Sequence, residues 1–256
     1  MSEICTYTGR KVNLIQPEAI DVDFIDVAHA LSLNCRFNGH TSTMWSVASH
    51  SILVSDMLYR EFKDVKLALA GLLHDASECY ISDISRPLKS VLTSYLPIEA
   101  QIQDTVYEAV GLLGVVRDTD AQQKIREADD LALKAEALKL MIPFKEWEEY
   151  LNEDRQRAQE WMSRVKVENP QIVKGIFLLK LYVYMRHLNT RHAFVDNYSP
   201  VMERALESNA IPIFEGKEFF GNLVYSEEGY TMERGGKMLE FPKTLLDNSM
   251  SVSVLW

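Results

Sequence analysis

The chain has 256 residues, 47% of them hydrophobic, and a formal net charge of -10. That length suits one sizeable core, a single domain with an appendage rather than two equal domains. The acidic balance argues against coating DNA or tracking along a phosphate backbone, which needs an excess of Lys and Arg. Cys5, Cys35 and Cys79 are odd in number and form no CxxC pair, so neither a disulfide framework nor a thiolate zinc site is indicated, and a reducing cytoplasm fits. The opening MSEICTYTGRKVNLIQ lacks the basic-then-apolar run of a signal peptide. The longest apolar stretch, Gly175 to Met185, is short and broken by Lys180, so neither export nor membrane spanning is expected.

Residues 6 to 14 mix Thr, Tyr, Val and Leu and predict a short strand or hairpin, after which Asp21 or Asp23 caps a helix through about Leu33. Asn34 to His40 reads as a loop, and Thr41, Ser42 or Thr43 can cap the next helix. There Val47, His50, Leu53, Val54, Met57 and Leu58 follow one helical face, so His50 is expected to point with the core. The run Val65 to Tyr80 is apolar over most of its circumference, as in a central helix enclosed by others. His74 continues its Ala70 and Leu73 stripe, and Asp75 follows about a third of a turn on. Arg86-Pro87 ends this region.

Further helices are predicted over Ile98 to Leu113 and Ala121 to about Met141, the second placing Asp129 inward beside Ala128, Ala132 and Leu133. Pro143 closes it. Glu146 to Lys166, rich in charge and aromatics, suits a surface helix, and Asn169-Pro170 is the expected domain boundary, separating residues 1–168 from an extension of 169–256. The extension reads as a helix over Ile172 to Leu188, another over Ser199 to Ser208, and then a small β hairpin or three short strands in 218–225 and 230–241, around SEEG and Gly235-Gly236. Arg186, His187, Arg191 and His192 form a basic cluster, read as a solvated helix end, with a polyphosphate or a partner chain as the alternative target.

His50, the pair His74-Asp75 and Asp129 come from separate helical stretches. Alone, each is more simply a hydrogen-bonded core residue. Together, several inward imidazole and carboxylate groups carry a desolvation cost that a divalent cation removes, and their N/O character suits such an ion. If the chemistry is phosphoryl transfer, cationic side chains should flank the metal, and Arg36, Arg86 and Lys89 are the candidates.

The stretches AHALSLNCRFNGHTSTMWSVASHSILVS, LAGLLHDASECYISDISRPLKSVL and IREADDLALKAEAL resemble the HD-domain metal-dependent phosphohydrolases. Within them, the chain is most similar to bacterial and phage 5'-deoxynucleotidase and dNTP-phosphohydrolase type proteins, over about residues 6 to 141. The resemblance implies a mainly α fold, an HD-domain helical bundle with a short N-terminal β element. It implies that His50, His74, Asp75 and Asp129 bind one divalent metal ion (Mn, Co, Mg, Zn, Ni or Fe), with Asp130 left to solvent. It assigns Glu78 and Asp83 to orienting or deprotonating the attacking water, Arg36 and Phe37 to an Arg-aromatic pair near sugar and phosphate, and Lys89 to the phosphate. Those nucleotidases carry Trp where this chain has Phe37. His29 and His40 flank the same loop, and His40 is kept as a substrate-binding candidate.

The expectation is therefore a cytoplasmic, homo-oligomeric phosphohydrolase of a small nucleotide, first a 2'-deoxynucleoside 5'-monophosphate. The alternatives are a dNTP triphosphohydrolase and a hydrolase of a cyclic or hyperphosphorylated signalling nucleotide, or, from another class, a nucleotide-sensing binding module without catalysis.

Overall fold

A computed structural model describes residues 2–226, 229–234 and 237–242. The fold is mainly helical. At the N-terminus β1 (Glu3–Cys5) pairs antiparallel with β2 (Lys11–Asn13), Ile4 opposite Val12. Asp23 then caps α1 (Phe24–Leu33) by accepting from Ile25 N at 3.0 Å.

The next helix, α2 (Val47–Phe62), starts later than the Thr41 to Thr43 caps predicted. Ser46 is its cap, accepting from Ser49 N. The intervening residues are held elsewhere: Ser42 N donates to Leu140 O, and Cys35 bridges to Ser46. Asp64 caps α3 (Val65–Leu72). The expected continuous helix to Tyr80 is not formed, for Leu73 leaves helical geometry and a turn precedes the short α4 (Glu78–Ile81).

Two more short helices, α5 (Arg86–Lys89) and α7 (Leu113–Val116), flank α6 (Tyr95–Ala109). The long α8 (Thr119–Leu140) begins at Asp118, whose carboxylate accepts from Ala121 N. The single surface helix expected over 146–166 is instead α9 (Lys145–Asn152) and α10 (Arg155–Met162), parted at Asp154, which takes a left-handed conformation (φ 56°). Then follow α11 (Pro170–His187) and α12 (Ala193–Glu207).

The C-terminal strands go beyond a hairpin. β3 (Ile211–Glu215), β4 (Glu218–Ser226), β5 (Gly229–Arg234) and β6 (Lys237–Pro242) form an antiparallel meander in that order. The turns read at Glu227-Glu228 and Gly235-Gly236 lie outside the described residues.

Asn169 caps α11 and Pro170 is its first residue, and the core runs across this expected boundary. Phe177, Leu178, Leu179, Leu181, Tyr182 and Met185 of α11 are buried in one cluster with Phe24, Ile25 and Leu31 of α1 and Ala68, Leu69 and Leu72 of α3. A helix apolar all round belongs inside. β3 closes on α11 so tightly that a Cβ on Gly175 would sit 2.4 Å from Ile211 Cγ2 and 2.5 Å from Pro212 O. A second cluster, including Leu53, Met57, Leu131, Ala135 and Trp161, ties α2 to α8 and α10. No helix among the described residues is long and apolar enough to cross a membrane.

Candidate metal centre

Three elements bring the predicted ligands together. His50 sits on α2, Asp129 on α8, and His74 and Asp75 in the turn that follows α3. That turn is fixed from outside: Gln103 of α6 donates Nε2–H to Leu73 O at 2.7 Å and accepts from Ser77 N at 2.9 Å. One amide thus satisfies backbone groups on both sides of the helix break. Asn34 adds a third tie, donating to Glu78 O at 2.8 Å.

Both imidazoles present Nε2 to the centre because their Nδ1 atoms are engaged elsewhere. His74 Nδ1 donates to Gly71 O at 2.8 Å and His50 Nδ1 to Glu136 Oε1 at 2.7 Å. The two Nε2 atoms are 3.2 Å apart. Asp129 Oδ1 is 3.0 Å from His50 Nε2 and 3.9 Å from His74 Nε2. The ligand atoms of His50, His74 and Asp129 all lie within 4.8 Å of one another, and this group could hold a metal ion. Asp75 Oδ2 stands alongside, 3.2 Å from His74 Nε2 and 3.7 Å from His50 Nε2. These separations suit the residues to such an ion, since donors held roughly 2.0–2.2 Å from one cation stand about 3 to 4 Å from each other.

Electrostatics point the same way. Burial works against charge on His74, but Asp75 and Asp129 outweigh it and raise its pKa to about 9. Burial likewise opposes ionised Asp75 and Asp129, yet the imidazoles hold both carboxyls well below their usual range. The centre attracts positive charge, whether protons or a dication.

Glu136, which the sequence reading did not single out, is fully buried and joins His50 to Arg36, taking Arg36 Nε at 2.9 Å on its second oxygen. Arg36 Nη1 reaches to 3.7 Å from Asp75. Despite burial, Arg36 and His50 keep Glu136 ionised, its pKa lowered. A carboxylate behind a histidine fixes the tautomer and makes the ring a better ligand.

Asp75 and Asp129 face a cleft with about 1300 Å³ of open space, solvent included. Arg36, Phe37, Glu78, Asp83, Arg86 and Lys89 all line it. Arg86 Nη2 bonds Asp129 Oδ2 at 2.8 Å, and Lys89 Nζ lies between Glu99 (2.6 Å) and Glu78 (3.2 Å). Burial, then Asp75 and Asp83, push Glu78 up to about 9, and its Oε2 has no partner among the described residues. Burial also raises Asp83, against the pull of Arg36.

Two expectations are corrected. His40 is exposed and does not line the cleft, its backbone N–H turned back to Phe37 O. Asp130 is not left to solvent, for Tyr150 donates to it and Lys134 Nζ lies at 3.1 Å. The far wall was unforeseen. Phe144 and Trp147 lie parallel, ring centroids 6.0 Å apart, and Trp147 meets Phe37 edge-on at 6.3 Å.

Fold and site together define a mainly helical protein with an inward-facing His/Asp group able to hold a metal ion. No family model matches the chain. It is 36% identical over 137 residues to the Escherichia coli (strain K12) protein named "Uncharacterized protein YfdR", a match covering 52% of this chain and 74% of that one. It is 31% identical over 135 residues to the Rhodobacter capsulatus protein named "Uncharacterized protein RCAP_rcc00048", covering 51% of this chain and 68% of that one. The chain belongs to the family of these two proteins.

Proposed function

We propose that the protein is a metal-dependent phosphohydrolase of the HD type, with His50, His74, Asp75 and Asp129 as ligands and a small nucleotide as substrate, first a 2'-deoxynucleoside 5'-monophosphate. The observation that carries this reading is the layering of one cleft. Asp75 and Asp129 of the His/Asp group line it, Arg36 stands beside Asp75, Arg86 beside Asp129 and Lys89 beside Glu78, and the rings of Phe37, Phe144 and Trp147 line the same cleft.

A divalent ion so placed would acidify water and draw charge from a phosphoryl oxygen. The protein's own side chains do the rest. Arg36 is buried and braced by Glu136, so its charge is fixed before a phosphate arrives. Arg86 and Lys89 now hold carboxylates, and a phosphate dianion would compete for them at short range. Glu78, with one oxygen on Lys89 and the other unpartnered, would take a proton from attacking water only in its ionised form, which a pKa of about 9 confines to alkaline pH unless further positive charge beside it lowers that value. Asp83 lines the same wall and would orient that water. The aromatic wall supplies π faces for a nucleobase, which stacks without regard to its identity.

The test is phosphate release from ribo- and deoxynucleoside mono-, di- and triphosphates, with Mn, Co, Mg, Zn, Ni or Fe added to metal-stripped protein. Release from a monophosphate with one of these ions is expected. No release from any nucleotide with any ion would end this reading.

A further inference from the structure

A second concavity opens on the other half of α2, floored by Asp56, Tyr59, Arg60 and Lys63 and closed by α10, α11 and α12. Its cavity volume is about 350 Å³, at the lower end of the roughly 300–1,000 Å³ of small-molecule sites. Its charge is opposite to that of the chain as a whole. Arg60, Lys63, Arg164, Lys180 and His187 line it, against the single carboxylate of Asp56. That carboxylate is already committed, since buried Lys180 bonds it at 2.5 Å. Among the described residues no carboxylate lies within ion-pair distance of Arg60, Lys63, Arg164 or His187.

In a protein of net charge -10, cations that converge on one hollow without counter-charges mark an anion site. The walls say more about the anion. Arg60 lies 5.3 Å over the Trp161 ring and Lys63 5.5 Å over that of Tyr59, while Val65, Val183 and Leu206 complete an apolar lining. A lone carboxylate would leave most of these cations unmatched. A ligand with several negative charges and a flat or apolar part matches both features. His187 belongs to the basic cluster visible in the sequence, and its place here is not the metal cleft.

We propose that this cavity binds a small polyphosphorylated compound of nucleoside triphosphate type, separately from the metal cleft. The proposal does not depend on the hydrolytic reading, because none of these residues lines that cleft. The site also shares a helix with a metal ligand: Asp56 is six residues beyond His50 on α2, about 9 Å along its axis.

The experiment is calorimetric titration without divalent ions, using inorganic tripolyphosphate and a nucleoside triphosphate in turn. The protein carries Arg86→Gln and Lys89→Gln, so that anion binding in the metal cleft is suppressed. Saturable binding is expected, weakened at least tenfold by Lys63→Glu with Arg164→Glu and weakened about threefold by Arg164→Gln alone. Tighter binding of the nucleoside triphosphate than of tripolyphosphate would assign a role to the rings. Equal binding would overturn the nucleotide part and leave a polyphosphate site. Absence of binding at millimolar ligand, or affinity unchanged by the substitutions, would overturn the whole proposal. Thermal melts establish whether the double variant folds, and if it does not, Arg164→Gln decides.

Discussion

Glu136 accepts the Nδ1–H of His50 at 2.7 Å, and neither side chain is open to solvent. The carboxylate's other oxygen holds Arg36, so one residue sets the orientation of a ligand and of a cation. Glu136→Gln keeps the shape but turns an amide N–H towards His50 or Arg36. Metal affinity should fall by roughly 10–100-fold, as for other carboxylates behind a ligating histidine. Competition against a chelating dye would measure this, and wild-type affinity would remove Glu136 from the support of the site.

Asp129→Asn and Glu78→Gln should separate binding from chemistry. The first is expected to lose both metal and phosphate release. The second should retain metal, read by elemental analysis, while release slows by roughly 10²–10⁴-fold, the usual contribution of a positioned proton acceptor. Undiminished turnover in Glu78→Gln would take that residue out of the mechanism.

Trp147→Ala removes the inner ring of the aromatic wall. Stacking of a base on such a ring is worth about 1–3 kcal/mol, so KM for a nucleotide should rise by roughly fivefold or more with kcat unchanged. A sugar phosphate with no base should be hydrolysed as by the wild type. Equal effects on both substrates would mean that the wall shapes the cleft without holding a base.

Gly175→Ala tests whether the chain beyond Asn169 is part of the core. The new methyl would meet the carbonyl of Pro212, which cannot rotate away as a side chain would. A loss of about 1–3 kcal/mol is expected from overpacking of this kind. Denaturant unfolding in one transition with a lowered midpoint would fit; a midpoint equal to that of the wild type would show that β3 moves freely on α11.

Lys174 is fully buried with its Nζ on Phe214 O at 2.6 Å, and burial lowers its pKa to about 8 from 10.5. Between about pH 8 and 10.5 the unfolded chain therefore binds more protons at this residue than the folded one, and its contribution to stability grows as pH rises through that window. Thermal melts of wild type against Lys174→Met from pH 7 to 10 should show the difference moving in favour of the wild type. A constant difference would show that Lys174 does not titrate there.

What was legible in the sequence is what local chemistry dictates. The cap at Asp23, the apolar run from Ile172 to Leu188 and the inward face of α8 predicted helices close to the observed bounds, and the separate elements bearing His50, His74-Asp75 and Asp129 do converge. The break after Leu73 was hidden because no Gly or Pro marks it within LLHDAS. It is stabilised by Gln103, a partner some thirty positions away. Glu136 was hidden for a related reason: a charge inside KAEAL reads as a solvated position until its two partners are known. Trp147, flanked by glutamates, reads as surface, and only the fold brings it beside Phe37.

Asp129 and Glu136 lie seven residues apart on α8, two turns less about 20°, and so look out from nearly the same side of it. Ligand and brace are thereby threaded on one rigid spindle, and their mutual phase is set by chain length alone. A single residue inserted between them would swing one by about 100° relative to the other. Only length changes close to whole turns, of three, four or seven residues, would keep both on one side of the helix, and each would still alter their separation along the axis by about 1.5 Å per residue.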